Sequence, residues 1–194
     1  MKNSYIFSIL LVSLLIAAGI HYFEYQSHQP KSNDFCPKNI PCFHDYEKGL
    51  KTAQKWQKPI ALYFTGWRAG CCGAFDKQLF GGKAIQQLLA EKYVLITLFV
   101  DEREPLPQSK QFDYFNHNKE KRRITTIGSK WQYFQTHCFS RNTQPMFALL
   151  NPHEELLQKK TLGYSRPEEM SIYLQAGLQN FQKKVSVGKM ECDF

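Results

Sequence analysis

Residues 59–72 read PIALYFTGWRAGCC, and this stretch predicts a strand, a turn and a helix in direct succession. Residues 60–64 are a short, continuous apolar run, which is typical of a buried strand. Glycines at 66 and 70 indicate a turn, and apolar residues four positions apart then indicate a helix. The adjacent Cys71 and Cys72 therefore lie where a helix begins.

This pair of cysteines departs from the usual spacing of a dithiol redox site. Such sites place two cysteines three positions apart on the first helical turn, where the helix N-terminus stabilises the outer thiolate. Here the residue three positions before Cys72 is Ala69. Neighbouring Cα atoms lie about 3.8 Å apart, whereas a disulfide needs about 4.4–6.8 Å, so we expect no bond between Cys71 and Cys72 in a helical turn.

The two thiols have different expected properties. Cys71 lies near a helix N-terminus and close in sequence to Arg68, so its pKa is predicted to be lowered. Cys72 is either an inner redox cysteine or an inert thiol of the core, because free cysteines are often buried.

The remaining sequence predicts helices and strands in alternation. Helical spacing predicts a helix capped by Asp45, another that restarts after Gly82, a third that carries Trp131, Phe134 and Cys138, and a last helix opened by a capping box at Ser165–Glu168. Apolar runs predict strands over residues 93–100 and 146–150, and residues 156–162 are predicted to pair back as a hairpin. The order strand, helix, strand around residues 60–100 favours a parallel crossover, and hence an α/β fold with helices flanking a mixed sheet.

Two segments lack such patterns. Residues 101–123 are long, charged and irregular, and are predicted to be a solvated excursion from the domain. Residues 185–194 are predicted to be a C-terminal tail.

Composition limits the classes of partner. Lysine and arginine exceed aspartate and glutamate by 25 − 17 = 8, which favours a solvated basic surface, with anionic lipid or an acidic partner as the alternatives. No basic and aromatic recognition motif accompanies this charge, so we expect no nucleic-acid partner.

The N-terminus predicts export. Residues 5–23 are apolar behind Lys2, long enough for one membrane span, and small residues at 17–19 also suit a cleaved signal peptide. All six cysteines follow this segment, so they are expected in a compartment where disulfides persist. We assign residues 1–24 as a signal anchor or signal peptide, 25–42 as a tether, 43–184 as the folded domain and 185–194 as the tail.

The sequence predicts one disulfide and leaves two alternatives for Cys138. Cys36 and Cys42 bracket five residues with two prolines and are predicted to close a small loop. Cys138 is either a partner for the Cys71–Cys72 region or a core residue on its helical stripe. No pair among Cys71, Cys72, His137 and Cys138 has structural-zinc spacing, so we predict no metal and no cofactor. The other histidines, His44 included, are interpreted as ordinary surface or tether residues.

Residues 58–67 resemble the C-terminal, periplasmic thioredoxin-like domain of DsbD, the membrane thiol:disulfide interchange protein, in its Bacteroidetes form. Residues 43–46, 94–101, 128–131 and 144–145 are similar to that family at corresponding places, and the resemblance spans roughly residues 43–183. It implies a thioredoxin-like fold. It also implies that Cys72 matches the inner cysteine, that Ala69 replaces the nucleophilic cysteine, and that Cys71 is an addition.

The same resemblance implies a substrate site and a function. Pro145 is expected to be a cis-proline that faces the active site, and Trp67 and Gln144 are expected to contact an extended substrate. The predicted function is thiol:disulfide exchange through Cys71 and Cys72 with protein thiols or disulfides, on the periplasmic side of the inner membrane and near a membrane redox partner. If the signal is cleaved, the protein is released into the periplasm. The alternative is a redox-inactive binding module with structural cysteines.

Overall fold

A six-stranded mixed sheet forms the centre of the computed structural model, which describes residues 36–37, 40–68, 70–116, 118–190 and 192. The strands in chain order are β1 (Cys42–Phe43), β2 (Ile60–Thr65), β3 (Val94–Phe99), β4 (Phe112–Phe115), β5 (Lys121–Ile124), β6 (Met146–Leu150), β7 (Glu155–Leu156) and β8 (Gly188–Lys189). The helices are α1 (Tyr46–Trp56), α2 (Gly70–Gly81), α3 (Lys83–Lys92), α4 (Ile127–Phe139) and α5 (Pro167–Gln182).

The order of strands across the sheet is β1-β3-β2-β6-β7-β8. The first three neighbours run parallel, and β6, β7 and β8 each pair antiparallel with the strand before them in this order. The predicted parallel pair is confirmed in full register, from Ile60 opposite Val94 to Thr65 opposite Phe99. The α/β class and the mixed sheet predicted from the sequence are therefore confirmed.

Alternate residues of β2 face two separate hydrophobic clusters. Ala61 and Tyr63 pack with residues of α2, α3 and α5, whereas Ile60, Leu62 and Phe64 pack with residues of α1 and α4. Helices thus cover both faces of the sheet, which explains why this strand reads as an unbroken apolar run rather than as an alternation.

Helix α1 begins where the sequence predicts it, after Asp45, and ends just before Pro59. The Asp45 side chain accepts a hydrogen bond from the backbone N–H of Lys48 at 3.0 Å, as an N-cap does. At the other end Gln57 has a φ of 50°, and its N–H bonds to the carbonyls of the last turn. Pro59 follows and cannot continue a helix.

Residues 101–123 are more ordered than predicted. They contain a short 3₁₀ turn at Gln108–Lys110 and then the hairpin of β4 and β5. The hairpin residues Asp113, Lys121 and Arg123 form ion pairs across the two strands. These ion pairs join residues about ten positions apart. The sequence analysis considered charge only among neighbouring residues and therefore did not predict the hairpin.

Three boundaries near the C-terminus also differ from the prediction. The strand predicted over residues 156–162 is reduced to β7 and an isolated bridge between Phe147 and Leu162. The capping interaction of α5 lies one residue later than predicted, with the Glu169 carboxylate accepting from the N–H of Arg166. The predicted tail contributes β8, which pairs with β7, so part of it belongs to the sheet.

The predicted signal or anchor at residues 1–24 lies outside the described residues, as does the tether up to residue 35. Among the helices of the described ranges, none combines the length and apolar character needed to cross a membrane.

Candidate active site

One edge of the sheet gathers the segments that the sequence singled out. Because β2 and β3 are parallel, their carboxyl ends meet at this edge, and the turn at Gly66 follows directly from Thr65. Strand β6 runs the opposite way and begins there, with Met146 opposite Phe64. Pro145 therefore lies beside the turn, and the Gln144–Pro145 peptide bond is cis, as the resemblance implies.

Asp101 holds this turn in place. Its carboxylate, which follows β3, accepts hydrogen bonds from the backbone N–H groups of Trp67 and Arg68, both at 2.9 Å. A Cβ on Gly66 would lie 3.3 Å from the same carboxylate, so the smallest residue suits this close approach. The sequence analysis did not identify Asp101, because its role depends on the register of two strands.

Trp67 is fixed on its other side by stacking. Its ring lies parallel to that of Phe99, with centroids 3.8 Å apart, and its Nε1 donates to Glu102 at 3.3 Å. The indole is half-buried, so part of its surface remains available for contact. The substrate contact expected for Trp67 remains a prediction.

Gln144 takes part in a network that supports the proline segment. Its Nε2 donates to Oε1 of Gln135 at 2.6 Å, and Gln135 in turn donates to the carbonyl of Thr143 at 2.8 Å. Gln135 is completely buried on α4. The side chain of Gln144 thus binds its own scaffold here, a role that the sequence analysis did not anticipate.

Cys72 lies on the first turn of α2 and is almost completely buried, with 1% of its surface exposed. Four residues later on the same helix, Asp76 accepts a hydrogen bond from the hydroxyl of Tyr63 at 2.5 Å. Cys72 lies close enough to Tyr63 that a thiolate there would raise the pKa of the tyrosine. Cys72 and Asp76 thus lie one helical turn apart on α2, and Tyr63 interacts with both.

Asp76 titrates close to neutrality. Burial raises the pKa of its carboxyl to about 6, and the hydrogen bond from Tyr63 opposes part of this rise. Burial, the charge of Asp76 and their hydrogen bond all raise the pKa of Tyr63, so its hydroxyl stays protonated and acts as the donor. A carboxyl of this kind can exchange a proton with a neighbouring thiol at physiological pH. Neither residue was predicted, because a lone tyrosine on a strand and a lone aspartate on a helix carry no local signal.

Part of the turn that leads into α2 lies outside the described residues. The backbone of α2 includes Cys71 as its second residue, whereas Ala69 and the side chain of Cys71 lie outside the described residues. The lowered pKa expected for Cys71 therefore remains a prediction.

The structure resolves the two alternatives for Cys138. This residue is 3% exposed, packs on the stripe with Trp131 and Phe134, and forms a disulfide with Cys192 across 5.0 Å between Cα atoms. The alternative in which it pairs with the Cys71–Cys72 region is wrong for this structure. The sequence missed Cys192 as the partner because residues 185–194 were interpreted as a tail.

The predicted loop disulfide between Cys36 and Cys42 is confirmed, with Cα atoms 5.6 Å apart. His44, interpreted above as an ordinary residue, lies against both sulfur atoms. The sequence analysis did not anticipate this contact, in which two residues of an extended segment, Cys42 and His44, lie on the same face because they are two positions apart.

Comparison with known proteins agrees with this architecture. A profile of the family described as thioredoxin-like matches residues 42–152, which is more than half of the chain. The chain belongs to the thioredoxin-like family. No curated protein matches it significantly in sequence.

Solved structures of low sequence identity resemble this thioredoxin-like protein. A thioredoxin from Thermus thermophilus has 14% identity and a TM-score of 0.50, over 74% of this chain and 90% of that one. A DsbH oxidoreductase has 14% identity and a TM-score of 0.47, over 79% and 96%. A disulphide isomerase from Xylella fastidiosa has 15% identity and a TM-score of 0.39, over 71% and 86%. At these identities the first likeness supports the thioredoxin-like fold.

Proposed function

We propose that this thioredoxin-like protein takes part in thiol:disulfide exchange at Cys71 and Cys72, with protein thiols or disulfides as substrates. The observation that carries the proposal is the group of Cys72, Asp76 and Tyr63 beneath a turn that Asp101 holds at the sheet edge. A carboxyl with a pKa of about 6, one helical turn from a buried thiol, suits proton exchange at neutral pH.

The exchange begins at Cys71, the second residue of α2, where the helix N-terminus favours a thiolate. Its sulfur attacks one sulfur of a substrate disulfide, forming a mixed disulfide and releasing the other substrate sulfur as a thiolate that takes up a proton. A second thiol, supplied by a partner protein, attacks the mixed disulfide and restores Cys71. Cys72 does not perform this second attack, because adjacent cysteines form a disulfide only with a distorted peptide.

We further propose that the protein is exported and acts near the membrane, as a relative of the terminal domain of DsbD. The support is the apolar segment at residues 5–23, the two disulfides and the resemblance of residues 58–67. Carbonate extraction of membranes from cells that express the full chain distinguishes an anchored protein, which stays in the pellet, from a released one.

The alternative function is a redox-inactive module that binds extended polypeptides with structural cysteines. The burial of Cys72 and the incorporation of four cysteines into two disulfides favour it. In that case the turn and Pro145 would serve binding alone.

Insulin reduction separates the two functions. We expect turnover by the unmodified protein, loss of turnover in Cys71→Ser, and reduced turnover in Cys72→Ser. Gly73→Ala is the matched control, because a Cβ at this exposed position meets nothing within 4 Å. Equal, background-level turnover in all four proteins would rule out the enzymatic function.

A further inference from the structure

A histidine lies against the disulfide that closes the loop at residues 36–42. The Nε2 atom of His44 is 3.6 Å from Sγ of Cys42 and 3.8 Å from Sγ of Cys36. Cys36 is exposed, whereas Cys42 and His44 are half-buried. The two sulfurs and the imidazole thus form a compact group, with one ligand-type atom of each residue within 4.8 Å of the others.

The imidazole is oriented by strand β3. Its Nδ1 lies 3.0 Å from the carbonyl oxygen of Thr97, and its ring contacts Phe99 at 5.7 Å between centroids. A carbonyl oxygen can only accept a hydrogen bond, so Nδ1 carries the proton and donates it. In the neutral ring Nε2 then presents a lone pair to the sulfurs, and in the charged ring it presents an N–H.

This group lies beside the middle of β3. Strand β1 pairs parallel with β3, with Phe43 opposite Ile96, so His44, which follows β1, lies beside Thr97, two residues before the end of β3. Phe99 contacts His44 and also stacks on Trp67. The disulfide is therefore connected with Trp67 of the turn through two intervening rings, those of His44 and Phe99.

The other disulfide lacks these features. Cys138 is 3% exposed and packs in the core, and Cys192 is half-buried, so neither residue is exposed to an external thiol as Cys36 is. Accessibility and a proton source for the leaving sulfur are what make a disulfide exchangeable. The Cys36–Cys42 bond has both.

We propose that Cys36, Cys42 and His44 form a second site of thiol:disulfide exchange, which oxidises dithiols of partner proteins or small molecules. A dithiol thiolate attacks the exposed Sγ of Cys36, the bond between Cys36 and Cys42 breaks, and Sγ of Cys42 takes its proton from Nε2 of the protonated His44. The second thiol of the donor then attacks the mixed disulfide, and Cys36 leaves as a thiol. The donor loses two electrons and two protons, and the Cys36–Cys42 pair gains both.

This site does not depend on Cys71 or Cys72. It would supply an exchangeable disulfide to a protein whose turn has alanine at position 69. Loss of exchange at the turn would therefore leave exchange at the Cys36–Cys42 disulfide unchanged.

Timed alkylation and mass spectrometry of the folded full chain test the proposal, with dithiothreitol as the dithiol and glutathione as the monothiol. We expect the Cys36–Cys42 bond to open about 100-fold faster than the Cys138–Cys192 bond, which serves as an internal control of folding. Glutathione has only one thiol, so its reaction is expected to stop at the mixed disulfide between glutathione and Cys36. Equal opening rates, or an adduct on Cys42, would overturn the proposal.

His44→Asn is the decisive variant, because its amide can still donate to Thr97 while it lacks the atom that faces the sulfurs. We expect about tenfold slower opening of Cys36–Cys42 at pH 6, with unchanged opening of Cys138–Cys192. An unchanged rate for Cys36–Cys42 would show that the imidazole plays no part. With reduced insulin as the dithiol, the Cys36→Ser variant is expected to lose the ability to oxidise it, whereas the Cys71→Ser variant is expected to retain it. This difference separates the site from the turn.

Discussion

Asp76 joins the helix that carries the cysteines to the central strand, and its protonation affects both stability and chemistry. Burial raises its pKa to about 6 from an ordinary value of 3.8. The folded protein therefore binds this proton more tightly than the unfolded chain does. Between pH 4 and 6 the free energy of unfolding should fall as pH rises, because the folded state must lose a proton that the unfolded state has already released.

Asp76→Asn should remove this penalty while keeping an oxygen for the Tyr63 hydroxyl. We expect a gain of about 1–2 kcal/mol in the free energy of unfolding at pH 7, reduced for the partial exposure of the carboxyl, and almost no change at pH 3. Urea unfolding at both pH values measures it. A gain of equal size at both would show that the titration is not responsible.

Asp101 is the second residue with an effect beyond its own position. Asp101→Ala removes the acceptor of two backbone N–H groups, at Trp67 and Arg68, and should cost about 2–3 kcal/mol. Asp101→Asn keeps one oxygen and should cost about half as much. Denaturant unfolding followed by tryptophan fluorescence provides the measurement, and Asn behaving like the unmodified protein would refute this account of the turn.

At the scale of elements, α4 begins with a close backbone approach to the segment after β3. The N–H of Gly128 donates to the carbonyl of Glu102 at 2.9 Å, and a Cβ on Gly128 would lie 2.4 Å from the backbone nitrogen of Glu102. Backbone atoms cannot move aside as a flexible side chain can. This contact sets where the helix docks against the edge that carries Asp101.

Gly128→Ala should therefore lower the free energy of unfolding by about 2–3 kcal/mol. Gly73→Ala on α2 has open space around the new methyl group and should stabilise by about 0.5–1 kcal/mol through reduced chain entropy. Thermal unfolding of both variants compares them directly. If both substitutions stabilise the protein, the contact of Gly128 with Glu102 does not limit the docking of α4.

At the scale of the whole molecule, the two disulfides constrain the chain to different extents. Cys138–Cys192 spans 54 residues and connects the C-terminal segment to α4, whereas Cys36–Cys42 spans 6. Closing the longer loop removes more conformational entropy from the unfolded chain.

Cys192→Ser should thus cost about 2 kcal/mol more than Cys36→Ser in the free energy of unfolding. Denaturant unfolding at pH 5, where few thiolates are present to reshuffle the remaining bonds, measures both variants. Equal costs would mean that the C-terminal segment already holds its place through β8 and its packing.

The sequence predicted much of the architecture because its strongest signals are local. Strand β6 was predicted with the observed bounds, and the Asp45 cap and the small disulfide loop follow from neighbouring residues. The hairpin in residues 101–123 and the strand in the predicted tail were missed, since each is short and is stabilised by a distant partner.

The sequence by itself determined the order of the principal helices and strands, the thioredoxin-like family, and the presence of alanine rather than cysteine at position 69, because each depends on identity and spacing along the chain. Tertiary structure alone decided that Cys138 pairs with Cys192, that Asp76 lies under the turn with Tyr63, and that His44 faces the exposed disulfide. These contacts join residues from 2 to 54 positions apart, and even the nearest depends on a strand neighbour that fixes the direction of the ring. Proton exchange and thiol reactivity respond to distance and burial in space, which spacing along the chain does not specify.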